Sequence, residues 1–396
     1  MTAPTSGHRA AVFAGYLGWT LDAFDFFLVS FCLTAIGREF HKSDREIAFS
    51  IVLTLAFRPV GAFLFGLMAD RYGRRLPLMI DLVFYSVVEV LSGLAPNYST
   101  FLVLRALFGI GMGGEWGVGA SLAMEKVPPR LRGVLSGFLQ QGYATGNLLA
   151  AICFFFLFPR FGWRPLFFVG GLPALLALFV RFRVKESEVW QKTRHESWSH
   201  LGRAIRAQWK LFLYLAVFLM AMNLVAHGSQ DMYPTFLERQ WGFGVKMRAT
   251  ITGISMVGAI LGGTLCGLLS DHIGRRRAII LALAGALVML PLWAFAPSPP
   301  LLMLGAFLMQ FMVQGAWGVI PAHLAELSPD SVRGFLPGFG YQVGVLLSSS
   351  VGYLEAVFAG HTSYAVAMAA TAATVAVMAI VATAMGTERR GVTFGE

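Results

Sequence analysis

The sequence predicts an all-α membrane protein of twelve transmembrane helices, arranged as two parallel six-helix repeats. Three observations lead there: a composition too apolar for a soluble surface, twelve apolar runs of spanning length, and self-similarity at an offset of 201 residues. Of the 396 residues, 56% are hydrophobic and 13% charged, whereas a soluble domain keeps about 25% charged residues to face water. Roughly 20 apolar residues in helix cross a hydrocarbon core of about 30 Å. Runs of that length lie at 11–36, 47–69, 76–95, 100–124, 133–158, 164–181, 211–236, 249–269, 278–296, 300–324, 334–358 and 362–385. The expected organisation is a six-helix bundle over 1–181, a charged cytoplasmic linker over 182–210, and a second bundle over 211–396.

The net charge of +10 is topology and not a nucleic-acid footprint. With the N-terminus inside, the cytoplasmic segments hold 21 of the 31 Lys and Arg, eight of them in 181–210, and the outer loops hold 8. That bias places both termini in the cytoplasm of a plasma-membrane protein. The opening MTAPTSGHRA is too polar for a signal-peptide core, so the first span is expected to direct insertion. Cys32, Cys153 and Cys266 sit singly in apolar runs, without paired spacing, and read as small buried hydrophobes.

The repeat is carried by two stretches. GLMADRYGRR (66–75) returns as GLLSDHIGRR (267–276), and Trp116, Gly117, Glu125, Pro128, Arg132 and Gly133 return as Trp317, Gly318, Glu326, Pro329, Arg333 and Gly334. One offset serving both means two halves in the same orientation, with a site expected between them near the midplane. Topology explains the arginines but not the recurring Asp and Glu. Asp70, Arg74, Arg75, Glu125 and Arg132, with Asp271, Arg275, Arg276, Glu326 and Arg333, are therefore read as a cytoplasmic gate. In it the acids meet arginines or the N-terminus of a neighbouring helix. His323 reads as a gate element too, while His195 and His200 belong to the linker and form no convincing metal site.

Ionisable groups inside the spans are costly, so each is a functional candidate. In the first span Asp22 and Asp25 are three residues apart and share a face; their repeat mates are Asn223 and Ala226. Burial favours a neutral carboxyl, which makes Asp25, and after it Asp22, candidate proton carriers. Arg58 in the second span lies twelve residues before Asp70, roughly 18 Å along a helix and so near mid-membrane. Its repeat mate is Ala259, and its planar fork suits a carboxylate ligand. Asp81 and Glu89 in the third span read as packing or pairing residues. In the fourth span Arg105 is placed to hold one of the acids ionised, and Glu115, beside Gly113 and Gly114, is a further proton candidate. The seventh span carries Asn223, His227, Gln230 and Asp231 within about a 100° arc, one polar stripe on an apolar helix. His227 and Asp231, at i and i+4, can share a proton, and Gly228 and Pro234 can loosen the helix there.

GxxxDRxGRR with its echo resembles the signature of the major facilitator superfamily, and Arg105-x-x-x-Gly109-x-Gly111 resembles the fourth-span motif of its proton-coupled members. The stretch N-x-x-x-H-G-S-Q-D-x-x-P-T from Asn223 is similar to the hallmark of the lactate/pyruvate symporters in the sialate:proton symporter family. Ala226 stands where that pattern has Ser or Thr, and Val345 where the fungal permeases have Asn. The resemblance implies monocarboxylate–proton symport with Arg58, Asn223, His227, Gln230 and Gln342 near the substrate path. It implies Asp25, Asp22, Asp231, Glu115 and Arg105 in proton coupling. Sialate or an aromatic acid is the alternative substrate of the same symport; a neutral sugar facilitator comes next, sharing the fold but needing no central arginine, and nothing in the chain suggests an enzyme or a receptor. No cofactor or metal is expected; the partners are an organic anion, a proton and the bilayer, with the chain acting as a monomer.

Overall fold

In the computed structural model, which describes residues 6–42, 44–193 and 198–395, the chain is almost wholly helical. The first four spans are the helices Ser6–Glu39, Asp44–Tyr72, Arg75–Gly93 and Tyr98–Lys126. The fifth joins Arg132–Gln140 to Gly142–Phe161, and the sixth joins Arg164–Val169 to Pro173–Arg183. Two short helices, Glu188–Thr193 and Trp198–Ala207, lie in the linker. The second half repeats the plan with Val245–Ile273, Arg275–Ala294, Pro299–Leu327 and Tyr364–Met385 as its eighth, ninth, tenth and twelfth spans.

Eleven of these are long and apolar enough to cross a membrane. The remaining crossing, the eleventh, is made by two shorter helices, Leu336–Ser348 and Val351–His361, which meet at Ser349 and Ser350. The seventh is also interrupted, between Trp209–Gln230 and Tyr233–Arg239. Its break falls at Asp231 and Met232, three residues after Gly228, so Pro234 opens the second segment and Gly228 stays inside the first. Proline fits the first turn of a helix because its missing N–H has no partner there anyway.

Small residues decide which helices pack. In the first half the second span lies against the fourth, and in the second half the eighth lies against the tenth. A Cβ on Gly113 would run into the carbonyl of Arg58, and one on Gly262 into the carbonyl of Phe311. Without lipid-excluding water to drive association, this close backbone approach is the main source of helix adhesion in a bilayer. The turns after the second and eighth spans use Gly73 and Gly274 at φ of 102° and 100°, a conformation open to glycine at little cost. Between the halves the second span meets the eleventh, and the eighth meets the fifth. Phe155, Phe156, Leu175 and Val288 point outward, as lipid-facing positions should.

Candidate functional site

The start of the first helix, the segment around Phe394 and the Gly73 and Gly274 turns lie on one face, here called the terminal face. Its closure is built twice over by the repeat. Asp70 accepts hydrogen bonds from the backbone N–H groups of Gly334 and Phe335 at 2.8 and 3.0 Å. Asp271 accepts from Gly133 and Val134, also at 2.8 and 3.0 Å. Each carboxylate therefore caps the N-terminus of a helix in the opposite half, where unpaired N–H groups and the helix dipole favour an anion. Each aspartate is held by its own arginine, Asp70 by Arg74 at 2.6 Å and Asp271 by Arg275 at 2.7 Å. These arginines also bind Glu125 at 3.0 Å and Glu326 at 2.9 Å. Burial works against the Arg74 charge, but Glu125 and Asp70 more than offset it and hold its pKa above the usual arginine value.

Further ties cross between the halves. Arg132 reaches Glu326 at 3.5 Å and Arg333 reaches Glu125 at 3.7 Å. Ser121 donates to the Arg333 carbonyl and Ser136 to that of Gly318. Arg75 and Arg276, grouped with the gate on sequence, do something else. They donate to the carbonyls of Arg181 and of Thr383 and Ala384 within their own halves, pinning the sixth and twelfth spans. Their backbone N–H groups are accepted by Glu186 and Glu388. His323 also stays outside the ion network; it is buried against the ring of Phe218, with neither ring nitrogen hydrogen-bonded among the described residues. His195 lies outside the described residues, and His200 is exposed on the linker.

Above this seal a cavity of about 590 Å³ opens between the halves. Arg58, Asn223, His227, Gln230 and Asp231 all line it. His227 and Asp231 are 40% and 47% exposed, so the cavity is open toward the face opposite the termini. Nδ1 of His227 lies 3.2 Å from both carboxylate oxygens of Asp231. Gln230 donates to Gln310 at 2.8 Å, and Asn223 donates back to the Leu219 carbonyl. Arg58 is 4% exposed, faces the Tyr341 ring at 5.9 Å, and leaves Nε and Nη2 without a partner among the described residues. Tyr341 and Trp317 line the cavity edge-on to each other at 5.8 Å, and the Trp116 ring backs Tyr341 at 4.4 Å.

The remaining candidates divide differently from the expectation. Gln342 is buried and does not line the cavity; its neighbour Tyr341 does. Asp22, Asp25, Glu115 and Arg105 are likewise sealed inside the first bundle, at most 1% exposed. Arg105 pairs with Glu89 and donates to Ser92 at 2.6 Å. Cys32 and Cys266 are buried, Cys153 is partly so, and all three are unpaired. Several site residues carry no individual signal in the sequence. Gln140, Gln141, Tyr143 and Gln310 line the cavity, and Glu355 is buried in the eleventh span with both carboxylate oxygens unpartnered among the described residues. Glu186 and Glu388 do equivalent jobs but stand 202 residues apart, one off the repeat, which hides them from a fixed-offset comparison.

Comparisons with known proteins agree with this architecture. The sequence profile described as Major Facilitator Superfamily matches residues 15–238 and 231–393. A Saccharomyces cerevisiae protein named "Carboxylic acid transporter protein homolog" is 30% identical over 370 residues, covering 87% of this chain. The alignment takes in 60% of the yeast protein's length. The "Sialic acid transporter NanX" of Escherichia coli is 30% identical over 370 residues, covering 91% of this chain and 89% of that one. Among solved structures, the proton:xylose symporter XylE superposes with a TM-score of 0.82 over 100% of this chain and 99% of its own, at 19% identity. With the profile across both halves and a relative matched over 89% of its length, the chain belongs to the Major Facilitator Superfamily and is an integral membrane transporter, not an enzyme.

Proposed function

We propose that the chain is a proton-coupled symporter of small monocarboxylates such as lactate or pyruvate, working by alternate rocking of its two bundles. The observation that carries this reading is Arg58, a guanidinium walled into an otherwise weakly charged cavity with two nitrogens unpartnered. An unpaired buried charge is costly, and a carboxylate fitting its fork would gain charge-assisted hydrogen bonds of about 1.5–3 kcal/mol each. Gln230, Asn223 and Tyr341 stand around it as polar groups able to orient the rest of the ligand. Asp25, Asp22, Glu115 and Arg105 in the first bundle, and Asp231 with His227 in the second, are the proposed proton-handling groups. The excess of Lys and Arg on the terminal face supports a cytoplasmic assignment for that side, so the conformation described is the outward-open one.

The test is uptake of radiolabelled L-lactate into proteoliposomes under an inward proton gradient. Arg58→Lys keeps the charge but loses the fork, and KM is expected to rise about 10–100-fold. Arg58→Ala should abolish saturable uptake. Gradient-driven uptake unchanged in both variants would refute the carboxylate clamp, and uptake indifferent to pH would refute coupling. A second reading is favoured by size. The cavity has room for more than a three-carbon acid, and its walls include Trp19, Tyr143, Trp293 and Trp317. A bulkier organic acid fits the same clamp, as the name of the Escherichia coli relative suggests, so sialic acid is the second substrate to try.

A further inference from the structure

We propose that the N-terminal bundle holds a proton site of its own, built from Asp22, Asp81, Glu115 and the Tyr85 hydroxyl, walled off from the substrate cavity and joined to it through Arg58. The proposal deepens the symport reading, on which its transport consequence rests; the existence of the site does not depend on it.

Three helices bring these groups together. Asp81 and Tyr85 are one turn apart on the third span, and both pack at Gly111 of the fourth. A Cβ at Gly111 would stand 2.6 Å from Tyr85 Cβ and 3.5 Å from Asp81 Oδ1. Glu115 is one turn further along the fourth span, with Oε1 against Gly18 of the first, and Asp22 is one turn beyond Gly18. All four residues are at most 1% exposed, and none lines the cavity. Neither oxygen of any of the three carboxyls has a hydrogen-bond partner among the described residues, nor has the Tyr85 hydroxyl, which is within electrostatic reach of all three.

The repeat supplies a control. The mates of Asp22, Asp81, Tyr85 and Glu115 at the same offset are Asn223, Ala282, Ala286 and Ala316. The corresponding spans of the second bundle carry no charge at these positions, so the repeated architecture does not require them. Ionised carboxylates in a dry interior cost several kcal/mol each unless paired. Among the described residues the cations in reach are two. Arg105 is committed to Glu89, with Asp25 beside that pair, and Arg58 is the one within reach of Asp22. Tyr143 on the fifth span also faces Asp22 and brings no charge.

Three acids sharing one uncommitted cation must hold protons, and Tyr85 can donate to one acid while accepting from another. Arg58 then links the two sites. A substrate carboxylate on Arg58 takes away the counter-charge that an ionised Asp22 needs, so bound substrate demands a protonated Asp22. By reciprocity, a bound proton favours substrate. Asp81 and Glu115 hold the proton within the bundle, away from the water of the open cavity.

Infrared difference titration of the purified full-length protein, with no substrate present, tests the site directly. The parent is expected to keep protonated-carboxyl C=O bands through neutral pH, and Asp81→Asn and Glu115→Gln should each remove intensity there. Tyr85→Phe, which preserves volume, should shift those bands without removing them. In proteoliposomes Asp81→Asn should keep lactate or sialic acid exchange at equal pH but lose about tenfold in proton-driven accumulation, and Glu115→Gln should lose accumulation to the same extent. Absence of the bands in the parent, or variants that accumulate like the parent, would overturn the proposal. A parent that shows the bands but accumulates neither acid under a proton gradient would overturn the symport reading and leave the site standing.

Discussion

Asp271→Asn isolates one tie across the terminal face with little change in volume. In the closed arrangement Asp271 accepts two backbone N–H bonds from the other half, at 2.8 and 3.0 Å. An asparagine side chain offers one carbonyl oxygen and turns an N–H₂ group toward the second donor. One hydrogen bond to a charged group, about 1.5–3 kcal/mol, is lost, and the other falls to the neutral value of about 1 kcal/mol. The Arg275 pair lies within one half and changes little between states, because Arg275 retains Glu326 at 2.9 Å. The loss specific to the closed face is therefore about 3 kcal/mol, a shift of about 100-fold toward the state open on that side, at 1.4 kcal/mol per factor of ten. The reporter is Ala325→Cys, in a background with Cys32, Cys153 and Cys266 changed to Ala. Ala325 is 3% exposed, in an apolar cluster that takes Val12 and Ala123 from one half and Ala322 from the other. When opening is fast and labelling slow, maleimide reacts at a rate proportional to the open population, so labelling should accelerate by about 100-fold. Asp70→Asn, whose partners stand at the same two distances, should match it. Labelling within threefold of the parent in both variants, about 0.6 kcal/mol, would refute the assignment of the closing energy to these two caps.

Three other outcomes follow from the same geometry. Phe394 lies between the Arg132 and Arg333 guanidinium groups, 3.5 and 3.7 Å from its ring centre, one from each half; Phe394→Ala should weaken closure by about 1–2 kcal/mol and raise Ala325→Cys labelling about tenfold. Gly117 meets Gly338 of the other half, and a Cβ there would lie 2.6 Å from the Gly338 Cα; Gly117→Val should hold the terminal face apart, visible as fast labelling and weakened ligand binding from the opposite side. Arg105→Met strands Glu89 in the core, where breaking a buried pair costs about 3–5 kcal/mol; thermal stability in detergent should fall, and Glu89→Leu added to it should recover most of the loss.

The parts of this protein that were legible in the sequence are those the repeat writes twice. Asp70, Arg74 and Glu125 declared themselves because Asp271, Arg275 and Glu326 restate them, and the cavity stripe at Asn223, His227, Gln230 and Asp231 declared itself through helical spacing. The partners across the halves were not legible. A backbone N–H carries no residue signal, so the helix that each aspartate would cap could not be chosen from the chain. Gln342 shows a second limit. One residue on a helix turns a side chain by about 100°, and that rotation decides whether Tyr341 or Gln342 faces the cavity. Arg75 and Arg276 show a third, since adjacent arginines in one turn face different neighbours: Arg74 turns to Glu125 and Arg75 to the sixth span.

The division between repeated and unrepeated residues also separates two kinds of work. Rocking between two faces asks the halves to close against each other by equivalent contacts, and the two aspartate caps obey the offset: 2.8 and 3.0 Å at Asp70, 2.8 and 3.0 Å at Asp271. The proposed anion binding and proton holding need no such equivalence, and there the halves part company. Arg58 faces Ala259 in the alignment of the halves, Arg105 faces Ala306 and Glu115 faces Ala316, while His227 and Asp231 answer to Phe26 and Ser30. A substitution at a repeated position should therefore shift the balance between conformations and leave intrinsic ligand affinity in the open state alone. One at an unrepeated position should change affinity or coupling at constant conformational balance. Asp271→Asn and Arg58→Lys are the pair that separates these cases: the first moves labelling at Ala325→Cys by about 100-fold and the second leaves it within about threefold. If Arg58→Lys shifted labelling as much as Asp271→Asn, the clamp and the gate would be one element, and the division drawn from the repeat would fail.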